Sequence, residues 1–234
     1  MQLRLEAVGL LKRRVAAEEL MDAPGVDEAE LAANFAEIEL ANRYFGGLAP
    51  VAREVFARQG ERLLDVACGS ADIPRALLRR AERCARRLTV VALDRSETVL
   101  SIARRRAGDE PRLRFVRGEA TALPFPDASF DLTTCSLALH HFDPPAAVEL
   151  LRELRRVARG SVLVCDLRRS LAAYGAARAY VALLCRNRLT KHDAPLSVRR
   201  AYTPLEALDL ARQAGWANPN VARRPFFRMM LTDG

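Results

Sequence analysis

The sequence predicts an α/β fold: a doubly wound, mostly parallel sheet of seven strands, with an antiparallel strand near the C-terminus. Three observations predict it. Short apolar runs at 63–66, 88–93, 113–117, 131–136 and 161–166 alternate with amphipathic helical patterns, and several of them end in small or acidic residues. The run Leu63-Leu64-Asp65-Val66-Ala67-Cys68-Gly69-Ser70-Ala71-Asp72-Ile73-Pro74 reads as a buried strand, a turn of small residues and a helix start. The stretch 218–231 supplies two closing strands around Pro225. The expected organisation is one domain: an N-terminal helical cap (1–58), a core (59–166), a lid insertion (167–201), and a final helix with the closing strands (202–234). A chain of 234 residues buries enough apolar surface for this.

Taken in order, residues 1–24 are a charged, weakly amphipathic start. A helix follows over 27–41, with Leu31, Phe35 and Ile38 on one face, and a second over 49–58. In the turn that follows the first strand, Asp72 is expected to cap the next helix and Pro74 to sit in its first turn. No bulky side chain blocks the backbone there, so a ligand can approach closely. Asp65 faces the same crevice, and its carboxylate suits a cationic or zwitterionic ligand better than a pyrophosphate.

The second strand ends at Asp94, where two acceptor oxygens can receive both hydroxyls of a vicinal diol. Ser96 caps the helix 97–106, and the third strand leads into Gly118-Glu119-Ala120. The fourth runs to Ser136 and on to Leu139-His140-His141, after which Asp143-Pro144 opens a helix carrying Val148, Leu151, Leu154 and Val157. After the fifth strand the alternation breaks. An apolar helix over 171–185 and a basic connector over 187–200, holding Lys191-His192-Asp193, are expected to form a lid. Thr203-Pro204-Leu205-Glu206 is a capping-box start.

The net charge of +8 raises the question of nucleic acid. The basic residues are nearly all arginine, with Lys12 and Lys191 the only lysines, and they are spread along the chain. That matches the codon bias of a GC-rich genome and a solvated surface, and no nucleic-acid partner is expected. Five cysteines without a Cys-x-x-Cys pair read as free thiols in a reducing compartment. The charged N-terminus lacks a signal-peptide core and no apolar run is long enough to span a bilayer, so a cytoplasmic protein is expected.

The turn at 65–71 resembles motif I of the class I S-adenosylmethionine-dependent methyltransferases, Asp-x-Gly-Cys-Gly-x-Gly, with Ala67 and Ala71 standing where that family has glycine. Glu119-Ala120 resembles its acid–alanine pair, and Leu123-Pro124-Phe125-Pro126-Asp127 through Phe130-Asp131 matches many members. Glu19-Leu20-Met21-Asp22, the segment 40–47 and the segment 194–200 are similar to bacterial members of polyketide and phenolic natural-product pathways. The resemblance implies a Rossmann-like core that binds S-adenosyl-L-methionine and releases S-adenosyl-L-homocysteine. It implies a cofactor site of Arg43, Asp65, Ala67, Cys68, Gly69, Asp94, Arg95, Gly118, Glu119, Ala120, Ser136 and His141, with Arg43 meeting the cofactor carboxylate. The expected reaction is O-methylation of a small, hydrophobic, aromatic or polyketide-derived acceptor, in secondary metabolism, by a monomer or homodimer. Carbon methylation of a quinone precursor and a non-catalytic partner protein are the alternatives.

A base for a phenolic proton is expected among His140, His141 and His192. No metal is expected, since Asp166 lacks an Asp-Asn partner. The base-gripping tetrad of nucleic-acid methyltransferases is missing at Ser136-Leu137-Ala138-Leu139.

Overall fold

The computed structural model describes residue 11 and residues 13–233. Part of the expected start, residues 1–10 and 12, therefore lies outside the described residues. Seven strands form one sheet in the order β3-β2-β1-β4-β5-β7-β6. They are β1 (Arg62–Val66), β2 (Thr89–Asp94), β3 (Leu113–Arg117), β4 (Phe130–Ser136), β5 (Ala158–Leu167), β6 (Pro219–Arg224) and β7 (Arg228–Asp233). β1 to β5 pair in parallel, whereas β7 runs antiparallel between β5 and β6. The predicted seven-stranded sheet and its single antiparallel strand are present.

Central parallel strands are covered on both faces, which explains their continuous apolar runs. In β1, Leu63 and Leu64 point to opposite sides and are both fully buried. Leu64, Val66 and Leu93 pack with Leu150, Leu151 and Leu154 of α5 (Pro144–Val157) and with Leu210 of α8 (Pro204–Gln213). Leu63 and Val90 pack on the other face with Val51 and Val55 of α2 (Leu48–Ala57), Leu77 and Leu78 of α3 (Asp72–Arg83), and Leu100 of α4 (Glu97–Ala107). Ser96, Asp143 and Thr203 cap α4, α5 and α8 as the sequence predicts, and Thr203 and Glu206 complete the capping box.

Two local expectations are corrected. Asp72 does not cap α3; the cap position belongs to Ala71, in the left-handed region, and Asp72 is the first helical residue. Its carboxylate instead accepts from Asn42 Nδ2 at 2.9 Å, because Asn42 is buried against it at the end of α1 (Glu28–Tyr44). The basic connector is also a helix, α7 (Arg188–Arg200), following α6 (Leu171–Leu184). Asn187 caps α7 through the backbone N–H of Leu189, and the helix tolerates Pro195 within it.

These elements roof the sheet. Leu31 and Phe35 of α1 pack with Val99 and Ile102 of α4 and Leu189 of α7, and Asn34 Nδ2 donates to Thr190 Oγ1 at 2.9 Å. The buried Asp193 carboxylate of α7 accepts from the backbone N–H groups of Leu20 and Met21 at 2.8 and 3.0 Å. That contact fixes a 3-10 turn over Leu20–Asp22 above the carboxyl ends of the strands.

Candidate active site at the carboxyl ends of the strands

A sheet with crossovers in both directions opens a crevice where its strand order reverses, here between β1 and β4. A cavity of about 1500 Å³ lies there, roofed by α1, α6 and α7. Ala67, Gly69 and Ala71 bend the chain out of β1 with φ of +55°, +53° and +56°. The absent Gly69 side chain matters, since a Cβ there would stand 3.1 Å from the Phe35 ring. The two alanines adopt the glycine geometry at a cost of about 1–2 kcal/mol each.

The turn is ringed by carboxylates. Asp65 is buried and accepts from Thr134 Oγ1 at 2.6 Å. Burial raises its pKa to about 7, with Asp72 and Asp94 adding to the rise. Burial also raises the pKa of Asp72 and of Asp94. Asp94 accepts from the backbone N–H groups of Gly69 and Ser96, each at 3.1 Å, which aims its carboxylate at the turn. No ion pair to Asp65, Asp72 or Asp94 forms among the described residues. A ligand carrying positive charge would relieve that imbalance. Ser136 Oγ is buried in the same wall without a hydrogen-bond partner, and Leu137 beside it holds φ of +55°. Both mark a surface shaped for a polar ligand.

The structure brings together Asp65, Ala67, Cys68, Gly69, Asp94, Arg95, Gly118, Glu119, Ala120, Ser136, His140 and His141, all of which line the cavity. It leaves out Arg43 and His192. Arg43 follows the inward-facing Asn42 on α1, so its side chain is exposed and lies over the Tyr44 ring. His192 is exposed on α7, with Nδ1 2.7 Å from Asp193 Oδ1.

The two remaining histidines differ. His140 is 3% exposed, with Nδ1 2.7 Å from Asp166 Oδ1 and its backbone N–H donating to Asp166 Oδ2 at 2.8 Å. Burial works against the Asp166 charge, but the His140 contacts and the Leu167 N–H outweigh it, and its pKa is lowered. An ionised Asp166 accepts from His140 Nδ1 and fixes the orientation of the ring. His141 Nδ1 lies 2.7 Å from Asp22 Oδ2. Burial opposes charge on His141, yet Asp22 and Glu19 outweigh it and raise its pKa. Both Nε2 atoms face Glu19, at 3.6 Å for His140 and 3.7 Å for His141. Glu19 is 2% exposed and accepts from Ser197 Oγ at 3.0 Å. Glu19, His140 and His141 also form the one cluster with metal-ligand spacing among the described residues, their ligand atoms lying within 4.8 Å of one another.

Glu19, Asp22 and Asp166 are functional candidates that sequence reasoning missed as parts of this cluster. The segment Glu19–Asp22 attracted notice only as a resemblance, because no sequence spacing ties residue 19 to residue 140.

Residues 63–161 match a family profile described as a methyltransferase domain. Over 116 residues, 49% of this chain, the sequence is 39% identical to a demethylmenaquinone methyltransferase of Clavibacter sepedonicus, of which the match covers 44%. A demethylmenaquinone methyltransferase of Lysinibacillus sphaericus is 32% identical over 48% of this chain and 47% of its own. The chain thus spans about half the length of these relatives. Among solved structures, a SAM-dependent methyltransferase from Aquifex aeolicus superposes with a TM-score of 0.62 at 17% identity, covering 88% of this chain and 97% of that one. The S-adenosylmethionine-dependent methyltransferase SibL, in its apo form, gives 0.63 at 21% identity over 97% of this chain and 67% of that one. These likenesses extend the fold beyond the matched segment. Sequence motifs, sheet order and family match agree, and residues 63–161 of the chain match the methyltransferase domain family.

Proposed function

We propose that this protein transfers a methyl group from S-adenosylmethionine to a ring carbon of a small hydroxylated aromatic acceptor. The observation that carries the reading is His140, buried and backed by Asp166, in the same cavity as the carboxylate-ringed turn. Asp65 would receive the cofactor's ammonium, Asp94 its ribose hydroxyls, and the exposed Glu119 its adenine amino group. Ser136 Oγ supplies a further polar contact beside Leu137. The cofactor, when bound, supplies a methyl already activated on a sulfonium. What is left to the protein is to orient the acceptor, exclude water and move one proton.

His140 Nε2 takes the phenolic proton, which makes the ring electron-rich, and Asp166 stabilises the imidazolium that forms. Once the methyl is on the ring carbon, that carbon's own hydrogen leaves as a proton to solvent and the oxygen takes its proton back from His140. His141, whose raised pKa favours its charged form, holds Glu19 and Asp22 in place. α1, the 3-10 turn and α6–α7 act as cap and lid, and Phe45, Tyr180, Leu183 and Leu184 give the acceptor an apolar wall. The name of the curated relatives favours carbon as the acceptor atom. Oxygen is the second reading, favoured by the same base, since phenolate formation serves both.

The test uses cofactor labelled with a trideuterated methyl and a reduced naphthoquinone as acceptor, with the product's methyl assigned by NMR to carbon or oxygen. His140→Ala is expected to lower kcat about 100- to 10,000-fold and to leave S-adenosylhomocysteine affinity unchanged. Turnover within a few-fold of the wild type would remove His140 from the reaction.

A further inference from the structure

Among the described residues, one cation in the acceptor half of the cavity has no ion-pair partner. Arg228 opens β7, is 7% exposed, and lines the cavity together with Phe226, Phe227 and Tyr180. Its Nε is enclosed and has no hydrogen-bond partner. Among the described residues its guanidinium makes no ion pair. Two other buried arginines of this region have anionic or carbonyl partners, although Arg200 Nη1, like Arg228 Nε, makes no hydrogen bond. Arg200 donates to the carbonyls of His140 and His141, and Arg169 pairs with Glu206. Asp166 precedes Leu167, the register partner of Arg228, but its oxygens are taken by His140 and by the Leu167 N–H. Burial draws the Arg228 pKa down, yet a guanidinium stays ionised at any physiological pH.

The chain reaches Arg228 through a strained turn. Phe226 and Phe227 hold φ of +55° and +59°, the geometry of a type I′ turn that asparagine and glycine ordinarily fill. Backbone strain of this kind persists where the surroundings over-determine it, as they do at ligand clamps. A buried charge without a partner is costly, and a ligand of opposite charge removes the cost.

We propose that Arg228 receives a carboxylate on the methyl acceptor, so that the substrate is a hydroxylated aromatic acid rather than a neutral phenol. The inference rests on the methyl-transfer reading of this cavity. The cofactor's own carboxylate is the wrong ligand for Arg228. Asp65 is level with Leu163 through Thr134, whereas Arg228 is level with Leu167, three strands from β1. Four residues along the sheet and three strands across it separate the two backbones by roughly 20 Å. An amino acid carries its ammonium and carboxylate on one carbon, so a group at Asp65 cannot also reach Arg228. The acceptor carboxylate instead meets the guanidinium as a bidentate pair.

The test titrates the protein, saturated with S-adenosylhomocysteine, with 3-hydroxy-2-naphthoate and with its methyl ester. The wild type is expected to bind the acid at least tenfold more tightly than the ester. Arg228→Met loses that preference while keeping ester and S-adenosylhomocysteine affinity, and Arg228→Lys recovers part of it. Arg228→Met is also expected to raise the melting temperature of the unliganded protein, because it removes an unpaired buried charge. Equal binding of the acid by wild type and Arg228→Met would overturn the proposal, as would no binding of the acid or a lower melting temperature. If S-adenosylhomocysteine fails to bind, the methyl-transfer reading falls, and the same acid–ester comparison on the protein alone still decides the role of Arg228.

Discussion

Ala67 holds a left-handed backbone with its methyl partly exposed, whereas the methyl of Ala71 is fully buried in the core. Glycine removes the strain at either position but leaves a void only at the second. Ala67→Gly is therefore expected to stabilise the protein by about 1 kcal/mol, some 2–4 °C in Tm for a chain of this size; a drop in Tm on thermal unfolding would contradict the strain. Asp65 makes a second residue-scale prediction. Its pKa is about 7 in the fold against an ordinary carboxylate value of 3.8, so the folded, unliganded protein holds an extra proton between those values. Stability from that proton is present below the lower value and is lost as pH rises through the upper one. A cationic ligand favours the ionised carboxylate and expels the proton. Calorimetry of S-adenosylhomocysteine binding in buffers of different ionisation enthalpy is expected to show proton release near pH 6 and almost none near pH 8.5. Buffer-independent heats near pH 6 would place the ligand's charge elsewhere.

At the scale of elements, α7 matters more than its composition suggests. The sequence there, rich in basic residues, reads as a connector, and it also holds Pro195, a helix-breaking residue. Tertiary packing overrides that preference: Leu189, Leu196 and Val198 are buried under the cap. The consequence is functional, since Asp193 on this helix anchors the turn that carries Glu19 and Asp22 to the histidines. Asp193→Ala leaves two backbone N–H groups unsatisfied and is expected to cost about 1–3 kcal/mol. Hydrogen exchange at Leu20 and Met21 should quicken, and the acceptor KM should rise more than kcat falls. Unchanged protection of those two amides would show that the turn is held by something else. Arg43 illustrates the opposite error. The resemblance implies a cavity role for this charge, but one step along a helix turns a side chain by a large fraction of a circle, and Asn42 takes the inward position.

Across the whole molecule, what the sequence makes legible is what local pattern encodes. Buried parallel strands read as apolar runs, the turn after β1 as a string of small residues, and the carboxyl-end acids Asp65 and Asp94 as ligand groups. Every one of them lies in or beside the crevice at the strand-order reversal. The parts that were not legible depend on long-range juxtaposition. Glu19 meets His140 across most of the core, and Arg228 returns from the C-terminal hairpin as the neighbour of β5. Periodicity carries no signal for either, since both are fixed by which faces the sheet buries. The proposed methyl transfer stands or falls on the acid-ringed crevice as the S-adenosylmethionine site. Calorimetric titration of the wild type and of Asp94→Ala with S-adenosylhomocysteine tests it most directly. One site of micromolar affinity, weakened at least tenfold by Asp94→Ala while that variant still unfolds in a cooperative thermal transition, is the predicted result. No binding to the wild type, or equal binding to both proteins, would contradict it.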